Sequence, residues 1–261
     1  MADLNYYWRL FATGFSFFVF GLGGLVIAVL LLPLVWILKR EPADRHRLGK
    51  KGVQLSFRFF LELMRVLGVM EYRIQGFDQL VGRSGMLIIA NHPTLIDVIF
   101  LVGFIDNADC VVKQALKKNP ATFGPITAAG YLVNAGGEEW VQKCVQSLEA
   151  GKNLIIFPEG TRTVPGEDLH MQRGAANIAL RAGRNLTPIL IQCTPSTLTK
   201  SEKWYQIPPR KFVMTLRVLQ DVNIHDVMLE STHNGIASRK LTRYLVDLFT
   251  MEIHKNERYG H

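Results

Sequence analysis

Cysteine is scarce in this chain, and its placement argues against several kinds of chemistry at once. The three residues, Cys110, Cys144 and Cys193, are an odd number without C-x-x-C spacing or histidine neighbours. They fit buried thiols in a reducing compartment better than a disulfide framework or a zinc site, and no metal is implied. The nucleophile elbow G-x-S-x-G is absent as well, so no signal marks a serine or cysteine that would carry a covalent acyl group. Internal repeats and low-complexity linkers are missing. Charge is missing too over one long stretch: residues 10 to 38 hold no Asp, Glu, Lys or Arg, and of 30 Lys and Arg only Arg9 precedes residue 39.

As a helix, that uncharged run reaches ~43 Å, more than the ~30 Å hydrocarbon core requires, so it predicts an N-terminal membrane-embedded segment. It is too long for a cleaved signal and shows no clear small-residue cleavage site. Gly21, Gly23, Gly24 and Pro33 are positions where it can bend, and both a kinked span and a hairpin dipping into one leaflet fit. Directly behind it come six basic residues between 39 and 51, Lys39, Arg40, Arg45, Arg47, Lys50 and Lys51, against Glu41 and Asp44. Such a cluster belongs on the cytoplasmic side of the membrane. The formal net charge of +8 points to anionic partners, and the position of the cluster selects membrane lipids over nucleic acid. Between 53 and 70, Gln54, Arg58, Glu62 and Arg65 form one narrow polar stripe on an otherwise apolar helix. A core helix covered by the following domain and a helix lying in the membrane interface both fit.

The expected organisation is therefore a membrane anchor with an interfacial helix over residues 1–70 and an α/β domain over 71–261. Short apolar runs predict strands at 71–75, 86–90, 109–113, 131–134, 153–157, 187–193 and 212–219. Helical patterns fall near 94–105, 138–150, 173–183 and 236–254, the last with Leu241, Tyr244, Leu245, Leu248 and Phe249 on one face. This alternation predicts a mainly parallel sheet flanked by helices. The proline- and lysine-bearing segment 194–210 reads as a surface loop.

Two polar motifs lie just past predicted strands, where ligands bind in open α/β sheets. In Asn91-His92-Pro93-Thr94-Leu95-Ile96-Asp97, the carboxylate of Asp97, about one helical turn into the next helix, can reach back to His92. It would fix the tautomer of that ring and make it a competent general base. An N-cap beside a solvated histidine explains the same letters. Phe157-Pro158-Glu159-Gly160-Thr161-Arg162-Thr163 offers a glycine turn, a hydroxyl, backbone donors and a guanidinium fork matched to phosphate oxygens. A structural turn with a Glu159 to Arg162 ion pair is its simpler reading.

With both motifs present, the chain resembles the glycerolipid acyltransferase family that includes bacterial 1-acylglycerol-3-phosphate acyltransferases. The N-H-x-x-x-x-D block matches residues 91–97, and F-P-E-G-T-R, the most specific signature, matches 157–162. Weaker features follow in order over about 71–220: Lys113 after a strand, the stretch 120–124, Gly130 before an apolar run, Gly174 opening a helix, and Thr187-Pro188-Ile189 entering a late strand. The resemblance implies that His92 is the base and Asp97 its orienting partner, that Glu159, Gly160, Thr161 and Arg162 hold the glycerol phosphate, and that Lys113 is a further candidate for substrate. One departure stands out. Relatives acting on lysophosphatidic acid carry an arginine where this chain has Ala135.

The implied activity is transfer of a fatty acyl group from acyl-carrier protein or coenzyme A, as co-substrates without a further cofactor, to the hydroxyl of a lysophospholipid in phospholipid biosynthesis. An alcohol needs a base and an oxyanion site to attack a thioester but no protein nucleophile, so direct transfer in a ternary complex is expected. Three other readings fit parts of the pattern: acylation of a different alcohol or amine, a lipid hydrolase, and a non-catalytic basic membrane adaptor.

Overall fold

The computed structural model of the chain describes residues 2–163, 166–228 and 234–259. Seven strands form one sheet in the order β1-β7-β6-β2-β5-β3-β4, comprising β1 (Met70–Gln75), β2 (Leu87–Ala90), β3 (Ala108–Lys113), β4 (Leu132–Asn134), β5 (Asn153–Ile156), β6 (Leu186–Thr194) and β7 (Phe212–Val218). All seven expected strands are present. The stretch from β6 through β2, β5 and β3 to β4 is parallel throughout. Only β7, antiparallel to β6, and its parallel neighbour β1 run the other way.

The continuous apolar runs are explained by burial on both faces, as parallel strands require. Ile88 and Ala90 of β2, Ile155 of β5, and Ile189 and Ile191 of β6 face one core. Leu87, Ile89, Leu154, Ile156, Leu186 and Leu190 face the other. The first core is covered by α3 (Pro42–Val66), α4 (Asp97–Phe104) and α5 (Pro120–Ala129). The second is covered by α6 (Gly137–Glu149), α7 (Gly174–Ala182) and α9 (Asn234–Tyr259), with the short α8 (Ile224–Met228) before α9. On α9, Leu241, Leu245 and Phe249 are buried as the periodicity predicts, but Tyr244 is half exposed and belongs to the outer face.

The apolar N-terminal segment is one long helical rod, α1 (Ala2–Val26), a π-helical turn (Ile27–Leu31) and α2 (Leu32–Leu38). It runs antiparallel to α3: the Trp8 indole donates to the Leu67 carbonyl at 3.0 Å, and the rings of Phe17 and Phe20 pack on Phe60. Gly24 acts as a contact surface and not as a bend. A β-carbon there would lie 1.9 Å from the Ala121 carbonyl oxygen of α5, and one on Gly49 of α3 would lie 2.0 Å from that of Ala128. Backbones this close need glycine at the crossing.

Helix α5 escapes the apolar periodicity because it is built from small residues and carries Pro125 in its interior. Its ends are nonetheless written in the sequence: the Asn119 side chain caps the Ala121 N–H, Pro120 opens the helix, and Gly130 closes it at φ 65°. The stripe on α3 turns inward. Gln54 donates to the Ile105 carbonyl, Arg58 to the Gly103 carbonyl, and Glu62 accepts from the Tyr72 hydroxyl. Leu55, Phe59 and Val66 are left 54%, 61% and 76% exposed on the outer side.

Candidate active site

Because β2, β5 and β3 are parallel neighbours, the residues that follow them share one edge of the sheet. His92 follows β2, residues 157–163 follow β5, and Lys113 is the last residue of β3, two strands from β2. Asn91 extends the β2 to β6 ladder with its side chain, its amide donating to the Ile191 carbonyl at 2.8 Å and its carbonyl accepting the Ile191 N–H at 2.7 Å. A side chain that imitates backbone pairing holds the next residue rigidly at the strand end.

Asp97 is the first residue of α4, not one turn inside it. Its fully buried carboxylate collects three donors: His92 Nδ1 at 2.8 Å and the Thr94 N–H at 2.7 Å on Oδ2, and the Thr94 hydroxyl at 2.5 Å on Oδ1. An ionised carboxylate only accepts, so Nδ1 carries the proton and Nε2 is the nitrogen with a free lone pair. The ring lies on the Phe157 ring, centroids 4.4 Å apart at 30°, and stays 21% exposed.

The second motif is tied to the first through the backbone. The His92 N–H donates to Glu159 Oε1 at 2.7 Å, and the His92 carbonyl accepts the Thr163 N–H at 3.1 Å. The Thr163 hydroxyl donates to the other Glu159 oxygen. Glu159 is thus buried, with its carboxyl raised to about 7, chiefly because burial disfavours the charge. The expected Glu159 to Arg162 ion pair is absent among the described residues. Arg162 instead donates through Nη1 to the carbonyls of Leu198 and Thr199, at 3.0 and 2.8 Å. Gly160, at φ 69°, sits where a β-carbon would fall 2.6 Å from Gln172 Nε2. Thr161 stands beside it, partly exposed.

The segment 194–210 is less superficial than its prolines and lysines suggest. Thr197, Leu198 and Thr199 are buried, and the Leu198 carbonyl also accepts the Leu95 N–H at 3.0 Å. Arg9 of α1, buried among apolar residues, donates to the Pro208 and Pro209 carbonyls at 2.8 and 2.6 Å. Asn91, Thr94, Phe157 and Thr163 are the positioning residues that motif reading did not assign. Their signal is proximity to the motifs, but the partners lie far off in sequence.

The family model described as Acyltransferase matches residues 71–192, the stretch carrying β1 to β6 and both motifs. Over that stretch the chain is similar to the acyltransferase family. A 1-acyl-sn-glycerol-3-phosphate acyltransferase from Pseudomonas aeruginosa is 27% identical over 143 residues, 52% of this chain and 55% of that protein. One from Helicobacter pylori is 29% identical over 131 residues, 48% of this chain and 54% of that protein. The chain thus spans about half the length of these curated relatives. The crystal structure of the 1-acyl-sn-glycerophosphate acyltransferase PlsC from Thermotoga maritima superposes with a TM-score of 0.69 at 16% identity, over 96% of this chain and 98% of that one. That likeness shows a shared fold, including the N-terminal helices outside the matched stretch.

The three thiols take no part in the site: burial pushes each of Cys110, Cys144 and Cys193 up to about 12, so none supplies a thiolate near neutral pH.

Proposed function

We propose that this protein transfers a fatty acyl group from acyl-carrier protein or coenzyme A to the hydroxyl of a lysophospholipid of the 1-acylglycerol-3-phosphate type, in phospholipid biosynthesis. The observation that carries the reading is His92, held at the strand end with Nδ1 on a buried carboxylate and Nε2 left for a substrate. Nε2 takes the acceptor hydroxyl proton as the oxygen attacks the thioester carbonyl. Asp97 favours the imidazolium so formed. Collapse of the tetrahedral intermediate breaks the C–S bond, and the leaving thiolate recovers the proton. The high thiol values and the missing elbow favour this direct route over an acyl-enzyme.

Within this mechanism Glu159 positions His92 and does not touch substrate, since both its oxygens are engaged inward. Gly160, Thr161 and the free part of the Arg162 fork are the groups left for the glycerol phosphate, with Lys113 on the neighbouring strand. Arg162 also holds the 194–210 segment beside the site.

The same reading places the enzyme on a membrane. The helix spanning Leu4–Leu38 is long and apolar enough to cross one, and only 17% of its most apolar window is buried. It is bound along α3, however, whose polar stripe is spent on the domain while its outer side is apolar. A rod tied in this way crosses a bilayer only by drawing Gln54, Arg58 and their domain partners into hydrocarbon. We therefore read the pair as lying in one leaflet of the inner membrane with the domain in the cytoplasm.

The test supplies purified protein with lysophosphatidic acid and either thioester and follows product by lipid mass spectrometry. Phosphatidic acid formation is expected, reduced roughly 10²- to 10⁴-fold by His92→Ala with the fold intact. Free fatty acid release without an acceptor would instead make it a hydrolase, and full activity of a folded His92→Ala protein would remove the dyad from the mechanism.

A further inference from the structure

A second concavity lies on the edge of the sheet opposite His92. Ala108 opens β3, Tyr131 precedes β4, and residues 105–107 join α4 to β3. Together with Lys39 and the start of α3 they enclose about 600 Å³. Since β2, β5, β3 and β4 are parallel, these strand entries face away from the ends that carry the acyltransferase motifs. Acyl transfer as described above makes no use of this region.

Two buried polar groups lining it have no hydrogen-bond partner, the Lys50 ammonium and the Tyr131 hydroxyl, on side chains only 6% and 9% exposed. Lys50 stands 3.6 Å from Asp109 Oδ2, but Lys152 stands 3.7 Å from the same oxygen, which also accepts the Ser147 hydroxyl. Two ammonium groups on one buried carboxylate leave positive charge in excess. Desolvation by burial lowers Lys50 to about 8, with Asp109 opposing the shift and Lys152 adding to it.

The walls add Lys39, Arg47 and Lys51 against Asp44 and Asp106. Asp106 accepts from Gln54 Nε2 at 3.0 Å, and Lys51 donates to Gln54 Oε1 at 3.0 Å. A cavity with surplus positive charge, lined by a Lys50 ammonium held only by a 3.6 Å ion pair and a Tyr131 hydroxyl without a hydrogen bond, suits a ligand that is anionic and rich in acceptor oxygens. Its rim continues into the exposed Trp36, Ile37 and Leu38, with Arg45 stacked 5.2 Å from the Trp36 ring. An aromatic-cationic rim of this kind belongs at headgroup depth.

We propose that this cavity binds a phosphate group, presented by the headgroup of an anionic membrane phospholipid, at a site separate from the His92 centre. The test measures partition of the full-length protein onto phosphatidylcholine vesicles with and without a fraction of phosphatidylglycerol. A parallel arm adds inorganic phosphate and follows thermal unfolding. A charge merely near an anionic surface is worth about fivefold in partition, so Arg40→Gln, in the same basic run but outside the cavity, should lose about that. Arg47→Gln should lose tenfold or more, with activity in detergent unchanged. Both side chains are exposed, so neither substitution threatens the fold.

Equal losses from Arg40→Gln and Arg47→Gln, with no response to inorganic phosphate, would reduce the region to a diffuse charged strip and overturn the site. If inorganic phosphate stabilised wild type but not Arg47→Gln, while the vesicle preference followed charge alone, the phosphate site would stand with a soluble ligand as its source.

Discussion

Asp97→Asn separates charge from geometry at the proposed centre. Three donors converge on this carboxylate, two of them, His92 Nδ1 and the Thr94 N–H, on Oδ2. An asparagine oxygen placed there keeps both, and its amide nitrogen then meets the Thr94 hydroxyl, which can turn and accept. The flipped amide would aim N–H at the Thr94 backbone N–H and lose a buried hydrogen bond, so the Nδ1–H tautomer of His92 survives the substitution. What disappears is the negative charge facing the imidazolium. A hydrogen bond to a charged group contributes about 1.5 to 3 kcal/mol and a neutral one about 0.5 to 1.5, a difference of ~1 to 2 kcal/mol. That difference is about 5- to 30-fold in rate. The equivalent change in serine proteases costs about 10⁴-fold because it leaves the wrong tautomer. Here the fixed Thr94 N–H prevents that outcome. Steady-state acyl transfer should therefore show kcat down about 5- to 30-fold, with acceptor KM and the thermal midpoint little changed. A folded variant that loses 10³-fold or more would refute the tautomer argument, and one at wild-type rates would remove the carboxylate from the mechanism.

The remaining expectations are smaller in scope. Glu159 is raised from 4.5 to about 7, so the stability it contributes is complete below pH 4.5 and is lost as pH rises through 7. Glu159→Gln should flatten the fall in thermal midpoint between those limits, and an unchanged slope would show that the carboxyl is not buried as described. Gly160→Ala forces a β-carbon into left-handed backbone and onto Gln172. It should cost ~1 to 2 kcal/mol or more by denaturant titration, and a neutral result would mean that the loop adjusts freely. Ala135 follows β4 on the edge that carries Lys113, at the position where the family resemblance implies a phosphate-binding arginine. Ala135→Arg should therefore favour lysophosphatidic acid about 10- to 100-fold over acceptors whose phosphate is esterified or missing, as read by competition and mass spectrometry. A strong wild-type preference for lysophosphatidic acid that the arginine does not improve would show that this position has no bearing on acceptor choice.

The central strands β2, β5 and β6 were readable because they are apolar on both faces, a demand that residues such as Ile88 and Ile89 meet alone. Helix α5 was not, because its interior contacts are made by the absence of side chains. Ala121 and Gly124 meet Gly24 at backbone distance, and a periodicity of apolar bulk has nothing to register there. Its local trace lay at its ends, in Asn119, Pro120 and Gly130. The α3 stripe shows a related limit. Its spacing was plain, but which side faced protein depended on carbonyls at Gly103 and Ile105, far along the chain.

The loop after β5 shows most clearly why a motif names its residues without giving their directions. Glu159 and Arg162 are three residues apart and opposite in charge, so local reasoning pairs them. A buried carboxylate is better served by donors that cannot move, and the His92 backbone N–H, held by the Asn91 bridge to β6, is such a donor. Arg162, left with its charge, finds two carbonyls of the 194–210 segment. The two charged residues of the loop are thereby each held by a partner remote in sequence. Gly160 and Thr161, between them, are the part turned toward the outside. Under the proposed function Glu159 would support the dyad and the middle of the loop would be left for substrate, a division argued from where the fixed donors and acceptors lie and not from the letters of the motif.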